Sequence, residues 1–141
     1  NSFQMLNEGG VFAAQIPLFG EMPATTCILK VEELFADKME EIEKRKFVLH
    51  TASEYYDMLT SFTDKTSVWI TEYIHEMKDY GELLNFLKGA ALRPHLELLT
   101  DRKDREQFLD AVLQNLRSVY PIGKNGKVLF PFRRLFLIGE K

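Results

Sequence analysis

Cysteine and tryptophan each occur once in 141 residues. The lone Cys27 excludes an intrachain disulfide framework and a multi-cysteine zinc site, and points to an intracellular, cytoplasmic protein. No apolar run approaches the roughly 18 residues that a membrane span needs, so no membrane partner is expected. Positive charge is not in excess: 18 Lys+Arg face 21 Asp+Glu, for a net charge of -3. That balance argues against nucleic-acid binding, which relies on many cationic contacts. Familiar catalytic signatures are missing too. There is no glycine-rich dinucleotide fingerprint, phosphate-binding loop, paired-histidine zinc helix, paired-cysteine motif or nucleophile elbow. His50, His75 and His95 lack metal-ligand spacing and read as surface or hydrogen-bonded histidines, so no metal site is assigned. No nucleophile, base or cofactor loop stands out, and no catalytic residue is assigned.

What is present suits one globular domain: 45% hydrophobic and 28% charged residues. Phe3, Met5 and Leu6 fit one side of a helix's last turn, stopped by Gly9-Gly10. The apolar run 11–16, between Gly10 and Pro17, predicts a strand buried on both faces. Gln15, its one polar member, either hydrogen-bonds a neighbouring loop or faces a site. The loop over 17–24 holds Pro17, Gly20 and Pro23 and stands where binding residues are common. Ile28, Val31, Leu34, Phe35, Met39 and Ile42 predict one helix over roughly 25–46, its charge run a solvated face.

Thr51 or Ser53 caps a helix over 54–62. β-branched and aromatic residues over 66–76 predict a strand, which Glu72 places near an edge or marks with a bulge. Asp79 caps a short helix over 80–88 that Gly89 ends, and Arg93-Pro94 falls in an irregular link. Thr100 or Asp101 begins the clearest helix, 102–119, which Pro121 stops. Asn125-Gly126 marks a turn. The final run, 127–138, is apolar on both parities and predicts an interior strand, with a bulge or strand entry at Pro131.

Several strings carry a resemblance. Gly-Ala-Ala-Leu-Arg-Pro-His at 89–95, Val-Tyr-Pro at 119–121, Asn125-Gly126 and Val-Leu-Phe-Pro-Phe-Arg-Arg-Leu-Phe at 128–136 resemble the C-terminal half of trans-aconitate methyltransferase-like enzymes. Trp69, Thr71, Tyr73 and His75 resemble a strand of that family. Leu-Asn-Glu-Gly-Gly at 6–10, followed by the strand, Gln15 and Pro17, is similar to a stretch of class I S-adenosylmethionine-dependent methyltransferases at large. The resemblance implies an α/β fold that is the C-terminal half of a Rossmann-like methyltransferase sheet. Three strands match strands 5, 7 and 6, four to five helices accompany them, and the last strand inserts between the other two. It also implies that residues 1–141 are the substrate-side portion, with the cofactor-binding half absent. S-adenosylmethionine then belongs to the full-length protein, and this fragment is expected to bind none and to be inactive alone. The start at Asn1, without an initiator Met, accords with a trimmed piece.

The activity implied is O-methylation of a small-molecule carboxylic acid. Cations must fix the carboxylates. Arg93, beside a rigid proline, is a candidate clamp; the alternative is a surface arginine paired with Glu97 or solvent. Arg133 and Arg134 fall on opposite strand faces, so at most one meets a given pocket, and Arg133 is the substrate-binding candidate. Trp69 and Tyr73 share a face, as core packing or as pocket wall. Gln15 and the loop over 17–26 stand at the carboxyl end of the first strand, where doubly wound sheets bind ligands. The loop at 18–25 lacks most of the family's polar residues and fits a different or more apolar acid as readily as trans-aconitate. The second reading is a non-catalytic binding or oligomerisation domain derived from this fold. An exposed edge on the strand at 11–16 predicts a homodimer or swapped assembly.

Overall fold

The computed structural model describes residues 3–46 and 48–141. Strands β1 (Val11–Pro17), β2 (Thr66–Met77) and β3 (Val128–Glu140) form one antiparallel sheet in the order β1-β3-β2. The last strand in sequence therefore lies between the other two, and β2 takes an edge. Six α-helices are present among the described residues: α1 (Pro23–Leu34), α2 (Ile42–Arg45), α3 (Ala52–Thr60), α4 (Tyr80–Lys88), α5 (Arg93–Leu98) and α6 (Arg102–Val119). The fold is α/β, with the strand order implied for the closing strands of a Rossmann-like methyltransferase sheet. The chain divides into two units. One comprises the segments up to Glu21, Leu49–Tyr73 and Pro131–Lys141; the other comprises Met22–Val48 and Ile74–Phe130.

In the first unit, β1 pairs antiparallel with β3, from Val11 opposite Glu140 to Pro17 opposite Arg134. Side chains alternate between the two faces of such a ladder. On one face Phe12, Ala14 and Ile16 join Leu135 and Leu137, packed with Phe3, Leu18 and Leu59. Leu59 comes from α3, which opens on a capping box. Thr51 Oγ1 accepts from the Glu54 N–H at 3.3 Å, and the Glu54 carboxylate accepts from the Thr51 N–H at 2.7 Å. Those bonds, the backbone one first, hold the Glu54 carboxyl below its ordinary pKa. On the other face Val11, Ala13 and Gln15 are exposed. β1 is therefore not buried on both faces as its apolar run predicts: the cluster covers one face and leaves the other exposed.

Two smaller expectations also change. Phe3 and its neighbours form turns rather than the end of a helix: Leu6 N–H donates to the Phe3 carbonyl at 3.2 Å, and Met5 is 84% exposed. Gly9 carries the positive φ, 73°, that this turn requires. Pro131 lies within β3, which starts at Val128, so it is not a strand entry; it falls beyond the last β1–β3 pair, so its missing N–H costs that ladder nothing.

In the second unit, α1 packs on α6, burying Cys27, Ile28 and Val31 on one helix and Phe108, Val112 and Leu116 on the other. Asp101 caps α6, accepting from the N–H groups of Lys103 and Asp104 at 2.8 and 3.1 Å. Met22, at the N-cap of α1, supplies no side-chain cap. The buried Tyr120 Oη accepts from the Ala24 N–H at 3.1 Å instead, and burial pushes the Tyr120 phenol up from its ordinary pKa.

The single helix expected over 25–46 is broken by a 3-10 turn at Ala36–Lys38. The break lets Lys46 reach back to Glu32 at 2.7 Å. On one straight helix, fourteen residues at a rise of ~1.5 Å would hold them about 21 Å apart. Glu32 also meets Nε2 of the buried His95 at 2.8 Å, whose ring stacks on Phe108 at 5.5 Å. Burial opposes the Lys46 charge, but hydrogen bonds to Glu32 and Glu43 outweigh it and raise the Lys46 pKa. Arg93-Pro94, expected as an irregular link, opens α5, where a proline in the first turn forfeits no helical bond.

Leu135→Ala, at a fully buried position, is expected to cost about 2–5 kcal/mol in urea denaturation. Leu129→Ala, at 53% exposure on the same strand, should cost less than about 0.5 kcal/mol. Because the folded-state pKa of Glu54 is lowered, its contribution is complete above the unfolded value of about 4.3. It is lost as pH falls through the folded value. Glu54→Gln should therefore flatten that part of the stability-versus-pH curve, measured by urea midpoints across the acid range.

Candidate functional site

Polar and aromatic groups converge on the exposed face of the β1–β3 ladder. Gln15 stands opposite Phe136, and directly opposed residues share a face. Trp69, from β2, stacks on Phe136 with ring centroids 5.1 Å apart and planes 7° from parallel. These three side chains, with Ala13 and Ile138, border a depression of about 230 Å³. With its amide oxygen turned to the guanidinium, Gln15 accepts from Arg134 Nε at 3.2 Å and from Nη1 at 2.5 Å. The Arg134 guanidinium also lies over the Phe132 ring, 4.8 Å from its centroid.

The neighbouring Arg133 goes elsewhere. Its Nη1 donates to Glu21 at 2.6 Å, in the 3-10 turn Phe19–Glu21 that follows β1. Trp69 is 42% exposed and forms one wall of the depression; Tyr73, 41% exposed, lies outside its rim. Arg93 belongs to the other unit, where its exposed side chain donates to Glu97 at 2.9 Å. That is the surface pairing held open beside the clamp. Gln15 was expected to hydrogen-bond a neighbouring loop or to face a site; its partner is instead Arg134 on the neighbouring strand β3, and it borders a depression. Sequence reasoning had no means of choosing Arg134 and Phe136, because only the β1–β3 register puts them on the Gln15 face.

A second depression, also about 230 Å³, lies on the opposite face among Phe12, Ile16, Tyr55, Met58 and Phe62. Apart from the Tyr55 hydroxyl its walls are apolar, so it offers little to orient an acid.

The turn from β1 to α1 does not fit a glycine-rich cradle for S-adenosylmethionine. β1 ends at Pro17, and Pro23 already opens α1. Gly20, the one glycine between them, faces the Leu49 side chain, which a Cβ would meet at 3.6 Å. Among the described residues no group of three His, Cys, Asp or Glu could hold a metal ion, and no helix is long and apolar enough to cross a membrane. Burial raises the Cys27 thiol pKa against the pull of Lys30, which keeps it a poor nucleophile.

A sheet closed by its last strand, with helices on its connections, is a partial methyltransferase-type α/β domain. Curated relatives agree. A trans-aconitate 2-methyltransferase from Afipia carboxidovorans is 33% identical over 135 residues, covering 94% of this chain and 52% of the relative. One from Mycobacterium tuberculosis is 33% identical over 138 residues, covering 96% and 52%. One from Rhodopseudomonas palustris is 30% identical over 138 residues, covering 96% and 54%. No family model matches the chain. The chain is a homologue of the trans-aconitate 2-methyltransferases, spanning about half the length of the curated relatives it matches, consistent with their C-terminal half.

Trp69 is the only tryptophan, so its fluorescence reports on the depression alone. Phe136→Ala should move the emission to longer wavelength as the indole loses its stacked neighbour and gains water. Met5→Ala, at a residue 84% exposed and away from the stack, should leave the spectrum unchanged.

Proposed function

We propose that this chain is the substrate-side portion of an S-adenosylmethionine-dependent methyltransferase that O-methylates a small-molecule carboxylic acid. The observation that carries it is similarity to trans-aconitate 2-methyltransferases over 94–96% of this chain and about half of each relative, joined to the β1-β3-β2 strand order. A carboxylate oxygen is already nucleophilic, so the acid needs little acid–base help. The work left to this chain is to fix the acid's charge, hold its skeleton and exclude water. Bound S-adenosylmethionine supplies an electrophilic methyl group. Because the turn after β1 offers no glycine-rich cradle, the donor is assigned to the part of the relatives' length that this chain does not span. The depression of about 230 Å³ is smaller than the ~300–1,000 Å³ clefts that take drug-sized ligands, which suits a small acid.

The test is methyl transfer by the full-length protein from an isotopically labelled donor to trans-aconitate and a panel of related acids. A labelled methyl ester is the expected product; no labelled ester from any acid would overturn the reading. This chain alone should give no ester and, by calorimetry, no specific binding of S-adenosylmethionine. Micromolar affinity would show that the donor site has been misassigned.

One observation favours a second reading, a non-catalytic oligomerisation domain of the same fold. β1 is an edge strand with no charged side chain from Val11 to Pro17, so nothing discourages pairing with another strand. The partner in that reading is a second copy of the chain. Light scattering at high concentration should show a dimer that Ala13→Lys dissociates; a monodisperse monomer counts against it.

A further inference from the structure

We infer that Arg134, oriented by Gln15, is the carboxylate anchor of the depression, and that the Trp69–Phe136 stack selects a small acid with a planar carbon skeleton beside its carboxylate. The proposal rests on the carboxylate reading given above and names the residues and the kind of acid.

The adjacent arginines differ in what already balances them. Arg133 is matched by Glu21 at 2.6 Å. Arg134 forms no ion pair with an acidic side chain among the described residues; its hydrogen-bond partner is the neutral amide of Gln15. A half-buried guanidinium beside a neutral amide keeps its full positive charge for a ligand.

The donors point the same way. A guanidinium has five N–H groups. Gln15 takes one from Nε and one from Nη1. The edge shared by Nη1 and Nη2 keeps a donor on each nitrogen, the fork that a carboxylate accepts bidentately. Phe132 fixes the plane of the group from one face and Gln15 fixes its rotation within that plane. The fork is therefore held before any ligand arrives, which lowers the ordering cost of binding.

Gln15 also links this charge to the depression, since it lines the wall and holds Arg134. Across the depression the nearly parallel rings of Trp69 and Phe136 present a flat apolar wall. An acid with its carboxylate on Arg134 lays its adjacent carbons along that wall. Conjugated or aromatic carbons fit there better than a bulky saturated chain.

The test is fluorescence titration of the chain, excited at the red edge of indole absorption, with trans-aconitate, benzoate and the uncharged methyl benzoate. Both acids should give a saturable change in Trp69 emission, weakened by added salt, and methyl benzoate should give none. Arg134→Gln should weaken binding of the acids about 10- to 100-fold, whereas Arg133→Gln should change it less than about twofold. Arg134→Lys, which keeps the charge and loses the fork, should fall between, and it serves as the second variant if Arg134→Gln fails to fold by circular dichroism. Unchanged affinity in a folded Arg134 variant, an equal response to methyl benzoate, or no response to either acid would overturn the proposal.

Activity of the full-length protein separates this from the broader reading. Normal methylation by a folded Arg134→Gln enzyme leaves the methyltransferase standing and removes the anchor. Arg134-dependent binding in a protein that esterifies no acid does the reverse.

Discussion

Antiparallel pairing of β1 with β3 is the constraint on which the first unit depends. It joins Val11 to Glu140 and thus ties the beginning of the described chain to its end. Closing so long a loop is entropically unfavourable, though the cost grows only slowly with length. The apolar cluster around Leu135, Leu137 and Phe3 offsets it by removing one face of the ladder from water. The same register decides which residues meet on the opposite face. A shift of one residue would send Phe136 and Arg134 into that cluster and leave Leu135 and Leu137 beside Gln15. Core and candidate site are therefore two readings of a single alignment, and the register of one cannot shift without the other.

The charges on this ladder are arranged by the same logic. Successive arginines on a strand point to opposite faces, and each finds a different environment. One meets a carboxylate from the turn after β1 and becomes part of the framework. The other meets an amide and an aromatic ring, which orient it without neutralising it. Adjacent residues of identical chemistry are thus left in different states, one paired with a carboxylate and the other with a neutral amide. The difference lies in what β1, its following turn and the Phe132 ring of β3 bring to each side.

Much of the fold was legible because local signals agreed with the final structure. Asp79, Asp101 and Thr51 cap the helices they were expected to cap, and the two-sided apolar pattern of β3 marked it as interior. Errors arose where distant partners overrode local pattern. The periodicity over Ile28–Ile42 suits one helix, yet the chain breaks at the 3-10 turn Ala36–Lys38 and folds back so that Lys46 meets Glu32. The apolar run of β1 does not distinguish a central strand from an edge strand, since both can be equally hydrophobic over so few residues. At the candidate site, residue types were readable and partnerships were not. Gln15 and Trp69 stood out as a polar residue in a strand and a lone indole. Arg134 could not be separated from Arg133 by parity alone, and Arg93 drew notice from its proline while Glu97 waited one helical turn away.

The start of α1 shows how the second unit is held together. Its N-cap residue, Met22, takes the Thr25 N–H on its carbonyl but has no side-chain acceptor, and the acceptor for the Ala24 N–H comes from Tyr120, at the end of α6. A helix capped by its own neighbour in sequence can nucleate by itself. A helix capped by a residue 96 positions away is complete only once that distant element has docked. The start of α1 is thereby coupled to α6, and the Ala24 amide proton is expected to share the protection of the α6 core instead of fraying at the lower cost usual for a helix end.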